Sequence, residues 1–182
     1  MTIRKNILGG LPMDKIKYLE TIRICEMESD LEMLQAGDLT EIGLKGINLS
    51  GGQKARISLA RAVYSDKDIF LMDDPISALD ATVRKHIINN VLMKKLHNKT
   101  RVLVTHAIDF IHLADKICIM EDGKIIKNGT YEELKQSEEL KSLLKINHIN
   151  NEMGQKKAEE NQVELVKVQS SVVKKNPENE TY

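Results

Sequence analysis

Apolar positions along this chain change their spacing several times, and each spacing predicts an element. Between Asp14 and Met27, Ile16, Leu19, Ile22 and Cys25 recur every three residues, which predicts an amphipathic helix. Before it, Thr2 to Leu8 is short and mixed, and Gly9, Gly10 and Pro12 break the chain. After it, Leu31 to Leu34 allows a helical turn, and Gly37, Gly43 and Gly46 punctuate a loop over Gly37 to Asn48. Ser50 and Gln53 have the spacing of a capping box, so a helix is expected from Ser50 to about Tyr64. Ile69, Phe70, Leu71 and Met72 form a continuous apolar run that stops at Asp73, as expected for a strand buried on both faces of a parallel sheet.

A helix over Ala81 to Leu96, carrying Val83, Ile87 and Val91, leads to a second buried strand at Arg101 to Thr105. Strand, helix, strand in this order predicts a right-handed βαβ unit, hence an α/β fold. A helix over Ala107 to Leu113 follows. Then KICIM, an Asp122-Gly123 turn and KIIKNG read as a hairpin. Thr130 and Glu133 open a last helix, expected to reach about Ile146. Residues 150–182 turn polar and are expected to be a linker or disordered tail, leaving residues 1–149 as one domain.

Composition narrows the possible partners. Twenty-seven Lys and Arg balance 27 Asp and Glu among 182 residues, and Trp is absent. That argues against a broad nucleic-acid footprint. No apolar run approaches the ~20 residues of a membrane span, and MTIRKNILGG lacks signal-peptide character. Any membrane role must come through a partner. Cys25 and Cys118 are far apart in sequence and fit a reducing compartment.

Three places carry candidate chemistry. Asp73 and Asp74 end a predicted parallel strand, where such sheets place ligands, and Asp73 suits Mg²⁺. The same Asp-Asp-Pro equally suits a strand exit that caps a helix. His106 ends the neighbouring strand and would share that edge. A lone histidine there is more often structural, but convergence with Asp73 and Asp74 favours a site. Ser50, Gly51, Gly52 and Gln53 suit either an ordinary capped helix or an anion site, where orphan amides and the helix dipole face a phosphate.

The order of these pieces is more specific than any of them. LSGGQ at Leu49–Gln53, IFLMD at Ile69–Asp73, SALD at Ser77–Asp80 and TH at Thr105-His106 follow one another. Over roughly Thr2 to Ile146 the chain resembles the nucleotide-binding domain of ATP-binding cassette (ABC) transporters. These segments match the family's signature, Walker B, D-loop and switch-histidine motifs. DLTEIGLKGINLSGGQ, DDPISALDATVRKHI and NKTRVLVTHAIDFIHLADKICIMEDGKI are similar to the first cassette of the C subfamily, the multidrug-resistance-associated exporters.

The resemblance implies a partial P-loop NTPase fold: a helical signature subdomain, a parallel sheet core, and a C-terminal hairpin plus helix. It also implies ATP and Mg²⁺ as cofactors. The metal would sit on Asp73, with His106 at the γ-phosphate, Asp74 at the catalytic position that orients or deprotonates the attacking water, and Asp80 communicating across a dimer. Ser50, Gly51, Gly52 and Gln53 would close on ATP held by an opposing cassette. Implied partners are a second nucleotide-binding domain and transmembrane domains, at the cytoplasmic face of a membrane.

Two departures matter. No G-x-x-x-x-G-K-S/T run occurs: Gly46 and Gly51 have the spacing, but Gly52 and Gln53 follow. The upstream adenine-stacking aromatic and Q-loop glutamine also lack counterparts, so the chain resembles the latter part of a cassette. In addition, Asp74 stands where the wider family has glutamate, and a misplacement near 1 Å costs on the order of 10²-fold in rate. Slow or absent hydrolysis is therefore expected, with little activity from the chain alone. Alternatives are a non-catalytic half-cassette that regulates other cassettes, a truncated gene product, or a DNA-repair or translation-factor ATPase sharing the signature. The neutral charge weighs against the last. A sheet lacking its early strands is also expected to expose apolar surface.

Overall fold

The computed structural model describes residues 1–43 and 49–145. Gly46, the expected end of the last helix at Ile146, and the boundary between residues 149 and 150 with its tail lie outside the described residues. The chain divides into two compact units between His106 and Ala107.

The first unit opens with a helix that the apolar spacing did not predict, α1 (Ile3–Leu8). Thr2 caps its start by accepting a hydrogen bond from Lys5 N, and Gly9 ends it in the left-handed region at φ 56°. Ile3 and Ile7 are buried as α1 packs against the helix at Gly51–Ser65.

Helix α2 (Lys15–Ile24) is capped by Asp14, which accepts from Ile16 N and Lys17 N. Its inward face corrects the expected one: Ile16 and Leu19 are 83% and 55% exposed. Ile22 and Cys25 are buried as expected, and Tyr18 and Thr21 are buried in place of the other two. Tyr18 sets this rotation by packing edge-on against Tyr64, ring centroids 6.2 Å apart, while its hydroxyl donates to Asp38. Thr21 tolerates burial because its hydroxyl donates to Lys17 O at 2.7 Å. Burial pushes the Cys25 thiol up to about 12. The helix stops short of Met27 because Glu26 turns into the left-handed region at φ 55°.

Arg4 grips Asp38 through Nε and Nη2, both at 2.8 Å. Burial raises the Asp38 pKa, but the hydrogen bonds from Arg4 and Tyr18 outweigh it, and the carboxyl is held below its ordinary value. A depressed carboxylate stabilises the fold above its unfolded pKa, and that contribution fades as pH falls through the folded one. Urea midpoints should therefore fall on acidification toward pH ~3, and Asp38→Asn should flatten that part of the profile. An unchanged slope in the variant would assign the acid sensitivity elsewhere.

After α3 (Glu28–Glu32) and a 3₁₀ turn at Gly37–Leu39, helix α4 (Gly51–Ser65) forms as the sequence predicts. It buries Ile57, Leu59, Ala60, Val63 and Tyr64. The Tyr64 hydroxyl accepts from Asp14 N at 2.9 Å and donates to Pro12 O at 2.7 Å, tying the approach to α2 onto α4.

Strands β1 (Ile69–Asp73) and β2 (Thr100–Val104) pair in parallel, with Ile69 opposite Thr100 and Asp73 opposite Val104. Their crossover is α5 (Ala81–Ile87) continued by a wider π turn at Ile88–Lys95. Ile87, Ile88, Val91, Leu92 and Leu96 are buried along it, and Arg101 donates back to Leu92 O.

The expectation that both strands are buried on both faces fails. Phe70 and Met72 are buried, but Ile69, Leu71, Val102 and Val104 are 50–78% exposed. Residues opposite each other in register share a face. Among the described residues of this unit, one sheet face is therefore apolar and open, as the expected exposure of the sheet foresaw.

The second unit contains a 3₁₀ segment at Ile108–Leu113 where an α-helix was expected. Strands β3 (Ile117–Glu121) and β4 (Lys124–Gly129) then form the predicted hairpin. Asp122 and Gly123 both take positive φ at the turn, 48° and 75°. Helix α6 (Tyr131–Leu134) has its full capping box but is short. The chain breaks at residues 135–137, then residues 138–145 are helical. Ser137 makes the break by accepting from Leu140 N, capping a fresh start. Ile117, Ile119, Leu134 and Leu140 form this unit's core.

Candidate nucleotide-facing site

Ser50 adopts extended dihedrals ahead of α4, as an N-cap must. Its hydroxyl oxygen accepts from Gln53 N at 3.2 Å, and Gln53 Oε1 accepts from Ser50 N at 2.9 Å. The first helical amides, those of Gly51 and Gly52, lack intrahelical acceptors by geometry. Ser50 and Gly51 are exposed. The positive end of a 15-residue helix thus presents two amides and a hydroxyl on an open surface.

Neither glycine has positive φ; their lack of a side chain answers to space. A Cβ on Gly52 would lie 3.1 Å from Ala78 O and 3.6 Å from Leu79 Cδ2. One on Gly51 would lie 3.6 Å from Ala78 Cβ. The start of α4 therefore rests on the Ser77–Asp80 loop. That loop is held from the other side by Arg84, whose Nη2 donates to Leu79 O at 3.0 Å. Asp80 ends it as the N-cap of α5, accepting from Thr82 N and Val83 N at 3.0 Å each.

The second cluster lies at the C-terminal edge of the β1–β2 pair. Asp73, opposite Val104, is exposed, and its carboxylate makes no hydrogen bond or ion pair among the described residues. Asp74 turns into the left-handed region at φ 43°, donates its N–H to Val104 O at 2.7 Å, and accepts from Thr105 Oγ1 at 3.3 Å. Aspartate tolerates this conformation better than most residues. His106, one residue beyond Thr105, is exposed at the same edge. The parallel register thus brings Asp73, Asp74 and His106 to one edge.

Sequence reasoning gave no role to Thr105, which orients Asp74, or to Asp30 and Arg56. Arg56 stands one turn beyond Gln53, a spacing that marks a shared helix face. Nothing in the local sequence flags Asp30.

A capped, glycine-opened helix resting on the loop after a parallel strand, with acidic and histidine side chains at the strand ends, defines a nucleotide-binding domain of the ABC class. Residues 1–77 match the ABC transporter family. The chain is 47% identical over 154 residues to ABC transporter C family member 7 of Dictyostelium discoideum, covering 84% of this chain and 12% of that protein. It is 48% identical over 145 residues to human ATP-binding cassette sub-family C member 4, covering 79% and 11%. It is 52% identical over 137 residues to human ATP-binding cassette sub-family C member 3, covering 74% and 9%. The chain belongs to the ABC transporter family, and these relatives are of its C subfamily. It spans about a tenth of their length.

Proposed function

We propose that this chain is part of a first-type cassette of a C-subfamily ABC exporter, whose signature at Ser50–Gln53 closes on ATP held by an opposing cassette. The observation that carries this reading is the open start of α4: two amides with no hydrogen-bond partner among the described residues and a hydroxyl, held in place by a complete capping box. The donors fit a terminal phosphate, and the absence of a side chain on Gly52 lets the start of α4 seat against Ala78 O. Partners are the opposing cassette and transmembrane domains, placing the chain at the cytoplasmic face of a membrane. Among the described residues no helix is long and apolar enough to cross one.

In the pump, ATP with Mg²⁺ supplies the transferable phosphoryl group and the charge that offsets its oxygens. Asp73 would hold the metal through its exposed carboxylate, which makes no hydrogen bond or ion pair among the described residues. Asp74 and His106 are the catalytic candidates at the γ-phosphate. Asp74 serves as a weak base, being short and tied to Thr105. Asp80 couples the signature to α5 through its cap. Net hydrolysis at this half-site is slow, and closure on ATP drives transport.

The test mixes the 182-residue chain with an intact C-subfamily second cassette in Mg²⁺-ATP, Mg²⁺-ADP or EDTA, followed by sedimentation velocity. A heterodimer that forms only with ATP is expected. Association that ignores the nucleotide, or none in ATP, would overturn the reading.

A further inference from the structure

Asp30, on α3, lies outside every motif described above, yet it meets the signature directly. Its Oδ1 accepts from Gln53 Nε2 at 3.1 Å, and its Oδ2 accepts from Arg56 Nε at 3.1 Å and Nη2 at 2.5 Å. The Asp30 and Arg56 side chains are each 13% exposed, so this pair is largely withdrawn from solvent. Gln53 has a planar amide. With Nε2 turned to the carboxylate, Oε1 faces the Ser50 N–H, where it accepts at 2.9 Å. The reverse orientation would set an oxygen against a carboxylate and N–H against N–H. Arg56 is fixed by the same carboxylate, and its Nη1 lies 3.7 Å from where a Gly52 Cβ would be.

We propose that Asp30 is a positioning residue for the signature, holding Gln53 and Arg56 so that the Ser50 hydroxyl and the Gly51 and Gly52 amides face the phosphate together. This rests on the reading of Ser50–Gln53 as closing on ATP of an opposing cassette. Asp30 touches no nucleotide; it acts through the relay Asp30–Gln53–Ser50. By pairing with Arg56 it also keeps a guanidinium from swinging toward the anion, so recognition stays with the amides and hydroxyl.

The experiment uses the full chain and two readouts. In the sedimentation assay with the ATP-loaded cassette, Asp30→Ala should weaken association about tenfold, the scale of one charge-assisted hydrogen bond. In a Gln53→Ala background the same substitution should add little, because the two act as a unit. By amide hydrogen exchange of the chain alone, Asp30→Ala should expose the Ser50 N–H while Ile57–Tyr64 keep their protection. A merely structural aspartate would raise exchange along all of α4.

Should the lone arginine left by Asp30→Ala unfold the chain, Asp30→Ala with Arg56→Met removes both charges and should show the same Ser50 exchange and the same loss of association. Wild-type affinity in Asp30→Ala, equal losses with and without Gln53, or unchanged Ser50 exchange would each overturn the inference. Absence of ATP-dependent association in the wild type would instead sink the signature reading, with the Ser50 exchange still deciding whether the relay exists.

Discussion

Gly52→Val should strongly weaken ATP-dependent association with an opposing cassette while leaving the chain folded. Gly52 is not in a conformation that only glycine adopts, so the expected effect is one of space. A Cβ there already sits 3.1 Å from a backbone oxygen, Ala78 O, which cannot rotate away as a flexible side chain would. Valine adds two methyl groups against Leu79 and the Arg56 guanidinium, 3.6 and 3.7 Å from that Cβ. Either the Ser77–Asp80 loop moves, shifting the cap of α5, or the start of α4 tips and misdirects its amides. A displacement near 1 Å at such a site costs on the order of 10²-fold. Gly51→Ala makes a useful contrast, since its Cβ would meet only Ala78 Cβ at an ordinary 3.6 Å. It should bind nearly as the wild type does. Sedimentation with the ATP-loaded cassette reads both, and full affinity in Gly52→Val would refute the packing argument.

The second large effect concerns the open sheet face. Ile69, Leu71, Val102 and Val104 are exposed by 63, 78, 50 and 59% on one side of a two-stranded sheet. A contiguous apolar patch on a sheet that has two strands among the described residues promotes association between chains. The isolated chain should therefore oligomerise as its concentration rises. Leu71→Lys combined with Val104→Lys should weaken this self-association roughly a hundredfold, at about 1.5 kcal/mol per aliphatic side chain no longer buried between copies. Light scattering across a concentration series decides it. A wild-type chain that stays monomeric throughout, or a double variant that associates as strongly, would count against this role for the patch.

Much of the candidate site was legible because it is built from local rules. Ser50 and Gln53 satisfy each other across three residues, and a cap of that kind forms from sequence neighbours alone. The Asp122-Gly123 turn and the Thr130–Glu133 box are legible on the same ground. The limits of β1 follow from an apolar run ending in carboxylates.

What failed depended on distant partners. The inward face of α2 was misassigned because Tyr18 and Thr21 read as polar, yet Tyr64 and the Lys17 carbonyl make their burial favourable. The double burial of β1 and β2 was inferred from their continuous apolar runs, while the number of covering layers is a property of the assembled fold. The last helix was expected in one piece but breaks at residues 135–137, because Ser137 competes for the backbone and caps a fresh start.

The sequence by itself determined the α/β order, the capped signature helix, and the family. Each is written in spacings of a few residues or in the succession of motifs. Only the tertiary structure decided which atoms those motifs lean on: Ala78 beneath Gly52, Thr105 on Asp74, Asp30 behind Gln53. These contacts join residues as much as 31 positions apart, and no periodicity along the chain encodes such a meeting. Packing brings them together, because buried polar groups need partners and a helix start needs clear space in front of it.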